Sequence, residues 1–166
     1  MVPKTRPARK FSFTNRTRRS TAPFVNGCRG LAWRTFLKFE AADYKPEGIE
    51  SFRDFISDQW LKKMFLKGEY LMMLALEEEK IIGLITLRNG YHISLLFVEG
   101  EYHRQGIGSA LIGALATYLL EETKIRFLTV NAAPYAIEFY HKIGFFDLAG
   151  EQEKEGIFYT PMKLNL

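Results

Sequence analysis

The chain has 166 residues, of which 47% are hydrophobic and 25% charged, a composition that is typical of one globular domain and excludes disordered, collagenous and low-complexity classes. The single cysteine, Cys28, excludes an intrachain disulfide scaffold, and the lack of zinc-ligand spacing predicts no resident metal and favours a reducing, cytoplasmic location. The net charge of +4 is unevenly distributed, because ten basic residues precede the first acidic residue, Glu40, which leaves 13 basic against 19 acidic residues.

The first 20 residues are predicted to form a basic extension ahead of a single domain at 21–166. Rich in Arg, containing Ser and Thr and free of acids, this extension fits three interpretations: a solvated tail, an organellar transit peptide or a nucleic-acid-binding arm. Pro3 and Pro7 weaken the amphipathic helix that a transit peptide needs. Nucleic acid is a disfavoured partner, because the rest of the chain lacks RNA- or DNA-recognition motifs.

Helices dominate the next part of the sequence. A possible short strand at 10–14 precedes a predicted helix at 22–40. The expected core contacts of that helix are Leu31, Phe36, Leu37 and Phe39. Apolar residues then recur at helical spacing across 47–65, which predicts one helix or two consecutive ones.

Three antiparallel strands are expected next, at 70–76, 80–87 and 91–98. The first two flank an acidic turn, and the dipeptide Asn89-Gly90 is a strong signal for the hairpin that joins the second to the third. These three strands would form a meander.

The remaining elements alternate. A helix at 105–122, a strand at 125–130, a helix at 133–143 and strands at 145–148 and 157–163 are predicted. The first of these helices has one apolar stripe, made of Ile107, Leu111, Leu115 and Leu119. Its longest apolar run is too short for a membrane span, which needs about 20 residues, so we expect no membrane partner. The element order predicts an α+β fold with a mixed sheet and helices on both faces.

The segment between the third meander strand and the long helix carries the strongest signal for chemistry. Gly106 and Gly108 allow the backbone to approach a ligand, and the free N–H groups of a helix start favour anions. A Rossmann fingerprint would need a glycine where Leu111 stands, and a P-loop would need Gly-Lys-Ser/Thr, which is absent. Both nucleotide-binding motifs are therefore disfavoured, while a tight structural turn remains an alternative to a pyrophosphate cradle.

Two segments of the sequence resemble one family. The run from His103 to Gly108 is similar to the acetyl-CoA-binding motif of the GNAT (GCN5-related) N-acetyltransferase superfamily, (Arg/Gln)-x-x-Gly-x-(Gly/Ala), with His103 in place of the first Arg or Gln. The stretch from Val130 to Phe145, with its Asn and its Phe-Tyr-x-Lys-x-Gly-Phe pattern, resembles the second conserved stretch of that superfamily. The resemblance covers roughly 69–166 and implies the GNAT fold, with a mostly antiparallel sheet of six to seven strands.

The resemblance implies acetyl-CoA as the acetyl donor. The pantetheine arm would pair with the strand backbone at Leu96 to Val98, and an N–H of Phe97 or Val98 would polarise the thioester oxygen. Arg104 would add a charge-assisted contact to the pyrophosphate. The residues expected to bind the donor are Leu96, Phe97, Val98, His103, Arg104, Gln105, Gly106, Ile107, Gly108, Ser109, Asn131 and Tyr140. For Asn131, a helix N-cap is the alternative interpretation.

Tyr140 falls on the Tyr that serves as general acid in many relatives, and a phenol is protonated at neutral pH; a plain core aromatic is the alternative. His92 lies where the histone-acetylating branch has its glutamate base, and alternation would place it on one face with Ser94 and Leu96. A satisfied structural histidine is the alternative, and Glu99 and Glu101 are local rivals for the base.

The sequence therefore predicts an N-acetyltransferase that moves an acetyl group from acetyl-CoA to a primary amine by direct attack in a ternary complex. The acceptor would be a small-molecule or peptide amine that enters near the loops around 43–50, where acidic residues mildly favour a cationic amine. A catalytically silent CoA-binding sensor or scaffold is the first alternative. A homodimer is possible, because the last strands often contribute to dimers in this family.

Overall fold

The computed structural model describes residues 12–15, 22–57, 59, 63 and 70–166 of the chain. The predicted extension at 1–20 therefore lies mostly outside the described residues, as does the second half of the helical stretch predicted at 47–65. The division into an extension and a domain stays a prediction.

Within the described residues, the sheet has eight strands: β1 Ser12–Asn15, β2 Tyr70–Glu77, β3 Lys80–Arg88, β4 His92–Val98, β5 Phe127–Ala132, β6 Phe146–Asp147, β7 Gln152–Lys154 and β8 Ile157–Asn165. Seven of them follow the order β1-β2-β3-β4-β5-β8-β6, and β7 pairs with β8 off this path. β4 and β5 are parallel, whereas the other pairs are antiparallel. The predicted mixed, mostly antiparallel sheet is confirmed, as is the hairpin at Asn89-Gly90, where both residues have the positive φ of a tight hairpin turn.

Four longer helices are described: α1 Ala22–Phe39, α2 Pro46–Phe55, α3 Ile107–Glu122 and α4 Ile137–Ile143. One buried cluster joins α1 and α2 to one face of the sheet, and a second joins α3 and α4 to the other face. The predicted stripe of α3 faces the second cluster, with all four of its members buried. Helices on both faces are therefore confirmed.

The cluster under α1 and α2 is rich in aromatic rings. Phe36 stacks on Phe52 with 4.1 Å between ring centroids, and Trp33 stacks on Phe36 at 5.8 Å. Phe52 also meets Phe97 of β4 edge-on at 5.8 Å. These contacts fix α1 and α2 against the strand that carries the predicted donor site.

The structure corrects two local predictions and adds one strand. Leu37 is 48% exposed, because it follows Phe36 and so points away from the sheet. The last helix begins at Ile137 after a 3-10 turn at Pro134–Ala136. Strand β7 was not predicted, since Gln152–Lys154 is fully polar and exposed, and only its pairing with β8 makes it a strand.

A bulge in β4 changes the predicted faces of that strand. Thr86 pairs with Leu95 and Leu87 pairs with Ile93, so Ser94 is an extra residue without a partner on β3. As a result Ile93 and Leu96 pack into the α3 cluster, whereas Leu95 belongs to the α1 cluster. The expectation that His92, Ser94 and Leu96 share one face is therefore wrong for Leu96.

Beyond this bulge the sheet opens. β5 pairs with β4 only at His92 and Ile93, and its remaining length pairs with β8 instead. The backbone of β4 from Leu95 to Val98 thus has β3 on one side and no β5 residue paired with it on the other.

Candidate functional site

A cleft of about 690 Å³ opens where β4 and β5 diverge, within the size range of small-molecule sites. The predicted strand residues Leu96, Phe97 and Val98 line it, and so does Tyr140 of α4. The β4–α3 loop and the start of α3 contribute His103, Arg104, Gly106, Ile107, Gly108 and Ser109. Of the donor-binding residues predicted from the sequence, only Gln105 and Asn131 are not among the lining residues.

The start of α3 presents a row of backbone N–H groups. Arg104 and Gly106 have φ angles of 59° and 81°, which turn the chain sharply before the helix. The first bond into α3 runs from the Ala110 N–H to the Gly106 carbonyl, at 2.9 Å. In the described parts of the chain, no acceptor bonds the amides of 104–109, and no side chain caps the helix. These amides and the helix dipole together make an anion-binding surface.

The two glycines of this segment are required for different reasons. Gly106 has a left-handed backbone that a side chain disfavours, and a Cβ there would meet no heavy atom within 4 Å. A Cβ on Gly108 would lie 3.0 Å from the Phe139 ring, so this position is small because α4 packs against α3. Gly106 is thus the residue that shapes the loop, and Gly108 allows the two helices to approach.

His103, which lines the cleft, and Gln105 each make a hydrogen bond that holds the loop. The His103 Nε2 donates to the Val98 carbonyl at 2.7 Å, and its ring lies tilted against the Phe39 ring with 4.5 Å between centroids. The Gln105 amide donates to the carbonyl of Glu101 at 3.0 Å. These bonds explain why a histidine can replace the family's usual first motif residue without loss of loop geometry.

Tyr140 is buried at the inner end of the cleft and meets Phe139 and Phe145 edge-on at 5.2 and 5.1 Å. Burial raises the pKa of its phenol, and the nearby charge of Glu40 raises it further. Tyr140 is therefore protonated throughout the neutral range, as a proton donor must be.

His92 lies outside the lining of the cleft and has a partner on the neighbouring strand. Its Nδ1 is 2.8 Å from the Thr129 Oγ1, and burial together with Arg88 lowers its pKa to about 4. The imidazole is thus neutral and weakly basic at physiological pH. Its assignment as general base stays a prediction.

Asn131 is exposed on β5, and neither the 3-10 turn that follows nor α4 has a side-chain cap. The N-cap interpretation is therefore not observed, and a contact with the donor or acceptor stays a prediction.

The two local rivals for the base both have cationic partners. Glu99 bonds Arg34 at 2.5 Å, and Glu101 bonds Lys80 at 2.6 Å. Both ion pairs are near the surface, where such pairs are screened by water. Neither carboxylate lines the cleft.

Sequence reasoning missed nine residues that line the cleft, among them Thr35 of α1 and Glu40. Thr35 is buried, and within the described residues its hydroxyl has no hydrogen-bond partner. The Glu40 carboxyl has a pKa raised to about 7, mainly by burial and also by Asp43. No motif marks either residue; the only sequence signal was that Glu40 is the first acid of the chain.

No described helix is both long and apolar enough to cross a membrane. In the same residues, no group of three or more His, Cys, Asp or Glu side chains could hold a metal ion.

Comparison with known proteins gives matches over most of the chain. A family model described as an acetyltransferase (GNAT) domain matches residues 40–166. The uncharacterized N-acetyltransferase YafP of Escherichia coli (strain K12) is 29% identical over 102 residues, which are 61% of this chain and 61% of that protein. The match thus spans less than two thirds of that curated relative's length.

Solved structures with the same architecture include a GCN5-related N-acetyltransferase from Rhodopseudomonas palustris, with a TM-score of 0.77, 22% identity and coverage of 93% of this chain and 95% of that one. The PaiA N-acetyltransferase of Thermoplasma acidophilum, solved in complex with coenzyme A, has a TM-score of 0.75 and 19% identity over 93% and 99% of the two chains. At these identities the likeness shows the fold, which is the one expected from the sequence.

Proposed function

Because the chain belongs to the GNAT acetyltransferase family, we propose that it transfers an acetyl group from acetyl-CoA to a primary amine by direct attack in a ternary complex. The observation that carries this proposal is the row of free amides at 104–109 at the entrance of a cleft that extends along β4 to Tyr140. The sensor or scaffold alternative has no observation that favours it.

The chemistry of the cleft fits the donor. The amides at 104–109 and the Arg104 guanidinium would bind the pyrophosphate. The unpaired side of β4 at Leu96 to Val98 offers backbone donors and acceptors to the amides of a pantetheine arm. An N–H of Phe97 or Val98 would polarise the thioester carbonyl, as an oxyanion-hole donor does.

Bound acetyl-CoA would supply an activated acetyl group whose bond to sulfur breaks as the amine nitrogen attacks. Tyr140 would donate a proton to the leaving sulfur, because its raised pKa keeps the phenol protonated. The buried position of the ring, between Phe139 and Phe145, would exclude water from that end of the cleft.

Calorimetric titration with acetyl-CoA and desulfo-CoA, followed by thiol-release assays over a panel of primary amines, tests this function. We expect micromolar binding of both donors and thiol release with at least one amine. Binding without release over the whole panel would instead support a silent CoA-binding domain. Failure to bind either donor would contradict the proposed function.

Gly106→Ala is expected to weaken binding of acetyl-CoA about tenfold, because a left-handed backbone costs a residue with a Cβ about 1–2 kcal/mol. Gly113→Ala, in the middle of α3 with open space around it, is the matched control and should bind as the wild type does. The titration above measures both. Equal affinities of Gly106→Ala and the wild type would show that the loop conformation is not needed for binding.

The cytoplasmic location and a homodimer stay predictions. The edge strand β6 bears Phe146, which is 45% exposed, and Leu148, just beyond it, is 54% exposed. This apolar edge supports the expectation that the last strands contribute to self-association.

A further inference from the structure

Glu40 directly follows Phe39, the last residue of α1, and its backbone is fixed by two hydrogen bonds. Its N–H donates to the Phe36 carbonyl at 2.9 Å, and its own carbonyl accepts from the Asp43 N–H at 3.0 Å. The side chain lines the cleft together with Tyr140, and its charge is near enough to raise the pKa of that phenol. Glu40 thus lies where the reaction proposed above would occur.

The carboxyl of Glu40 has no cation beside it. Among the described residues, no Lys, Arg or His side chain forms an ion pair with it, and the charge that acts on it most is that of Asp43, which repels. A partly buried carboxylate without a partner is costly, so native chains seldom keep one without a use. Burial, and to a smaller extent the charge of Asp43, raises the pKa of Glu40 to about 7.

Thr35 lies on α1 five residues before Glu40 and lines the same wall, where it is 6% exposed. Its hydroxyl oxygen is enclosed by the protein and has no hydrogen-bond partner in the described structure, so it does not reach a ligand in the cleft. On the wall that α1 forms, an ammonium group would therefore be bound by the Glu40 carboxylate.

We infer that Glu40 binds the ammonium form of the acceptor and removes its proton, so that the substrates are cationic alkylamines. This inference rests on the proposed acetyl transfer. Glu40 acts as the catalytic base, because it touches the reacting nitrogen.

The protons balance as follows. The ammonium gives one proton to the Glu40 carboxylate and becomes a neutral amine, whose nitrogen then bonds to the acetyl carbon while the carbon–sulfur bond breaks. Tyr140 protonates the leaving sulfur and recovers a proton from the nitrogen as the amide forms, and Glu40 returns its proton to water. No oxidant or further reactant is needed.

A Glu40 carboxyl with a pKa of about 7 is half ionised near neutral pH. The acetylation rate should therefore rise as the pH increases through about 7. Several other titratable or charged side chains lie near Glu40 or line the same cleft. They are Asp43, Tyr44, His103, Arg104, Glu138, Tyr140 and Lys142. His92 is the competing base, and its lower pKa of about 4 predicts an acidic limb at a different pH.

The test compares Glu40→Gln and His92→Ala with the wild type, using short alkyl diamines and acetyl-CoA. For Glu40→Gln we expect kcat/KM to fall at least 100-fold at pH 7, the acidic limb near pH 7 to disappear, and activity to recover towards high pH, where the free amine is abundant. Glu122→Gln, at the exposed end of α3 and not among the lining residues, carries the same charge change and should behave as the wild type.

Calorimetric binding of acetyl-CoA should be unchanged in Glu40→Gln and in Glu122→Gln.

The outcomes separate this inference from the function on which it rests. If the wild type acetylates an amine and Glu40→Gln retains the rate and the acidic limb, Glu40 is not the base, while the acetyltransferase function stands. Loss of that limb in His92→Ala instead would assign the base to His92. If the wild type neither binds acetyl-CoA nor acetylates any amine, the proposed function fails and this inference fails with it.

Discussion

Replacing Tyr140 with phenylalanine is expected to lower kcat about 100-fold or more, because the leaving sulfur would lose its proton donor. The ring would keep its edge-on contacts with Phe139 and Phe145, so the affinity for acetyl-CoA and the melting temperature should change little. Steady-state kinetics with the amines identified by the thiol-release panel, together with calorimetry, measure both quantities.

The matched control is Tyr159→Phe, which removes a hydroxyl bonded to Gln152 at 3.1 Å at the surface and away from the cleft. It should have the wild-type kcat. A Tyr140→Phe variant with the wild-type kcat would show that Tyr140 is only a core aromatic, the alternative interpretation of its position. Because the pKa of Tyr140 is raised, the wild-type enzyme should lose activity through ionisation of this phenol only above pH 10.

Gly48→Ala is expected to destabilise the protein by about 3 kcal/mol, through a collision of backbones. A Cβ on Gly48 would lie 2.3 Å from the Gly156 carbonyl oxygen, which already accepts from the Lys45 N–H at 3.1 Å. Neither segment can yield easily, because Gly156 has a φ of 77° in the tight turn between β7 and β8. The start of α2 would therefore separate from the β7–β8 turn.

Thermal and denaturant unfolding measure this effect, which corresponds to a fall in melting temperature of roughly 6–12 °C for a domain of this size. Gly150→Ala has open space around the new Cβ and is the control that should leave the melting temperature within a few degrees. A Gly48→Ala variant as stable as the wild type would mean that α2 does not contact the β7–β8 turn closely.

Much of the fold could be predicted because its signals are local. The first two strands of the meander are short apolar runs bounded by turn residues, Asn89-Gly90 specifies a tight turn, and α3 has an apolar stripe at helical spacing. The bulge at Ser94 could not be predicted, since nothing in the sequence of β4 shows that three of its residues lie opposite two residues of β3. Strand β7 was missed for the same reason, because its partner β8 rather than its composition makes it extended.

Most of the cleft lining from β4 and the start of α3 could be predicted, whereas the lining at the end of α1 could not. Gly106 and its neighbours form a contiguous motif in which backbone conformation and free amides depend on local sequence. Glu40 and Thr35 are more than 90 residues from Tyr140 in the chain, and only the packing of α1 on the sheet brings them to one cleft. The structure also gives His103 and Gln105 a role in holding the loop, which spacing alone does not distinguish from ligand contact.

The position of β8 has a consequence for how the protein folds. β8 is made after every other described element, yet it lies between β5 and β6, and most of β5 has no other partner. During synthesis, β5 therefore keeps an unpaired edge until β8 has been made. Such an unpaired strand edge promotes aggregation of nascent chains. Tyr140 of α4 lines the cleft and lies in the same buried cluster as Met162 of β8, so this part of the candidate site takes shape only after β8 is made.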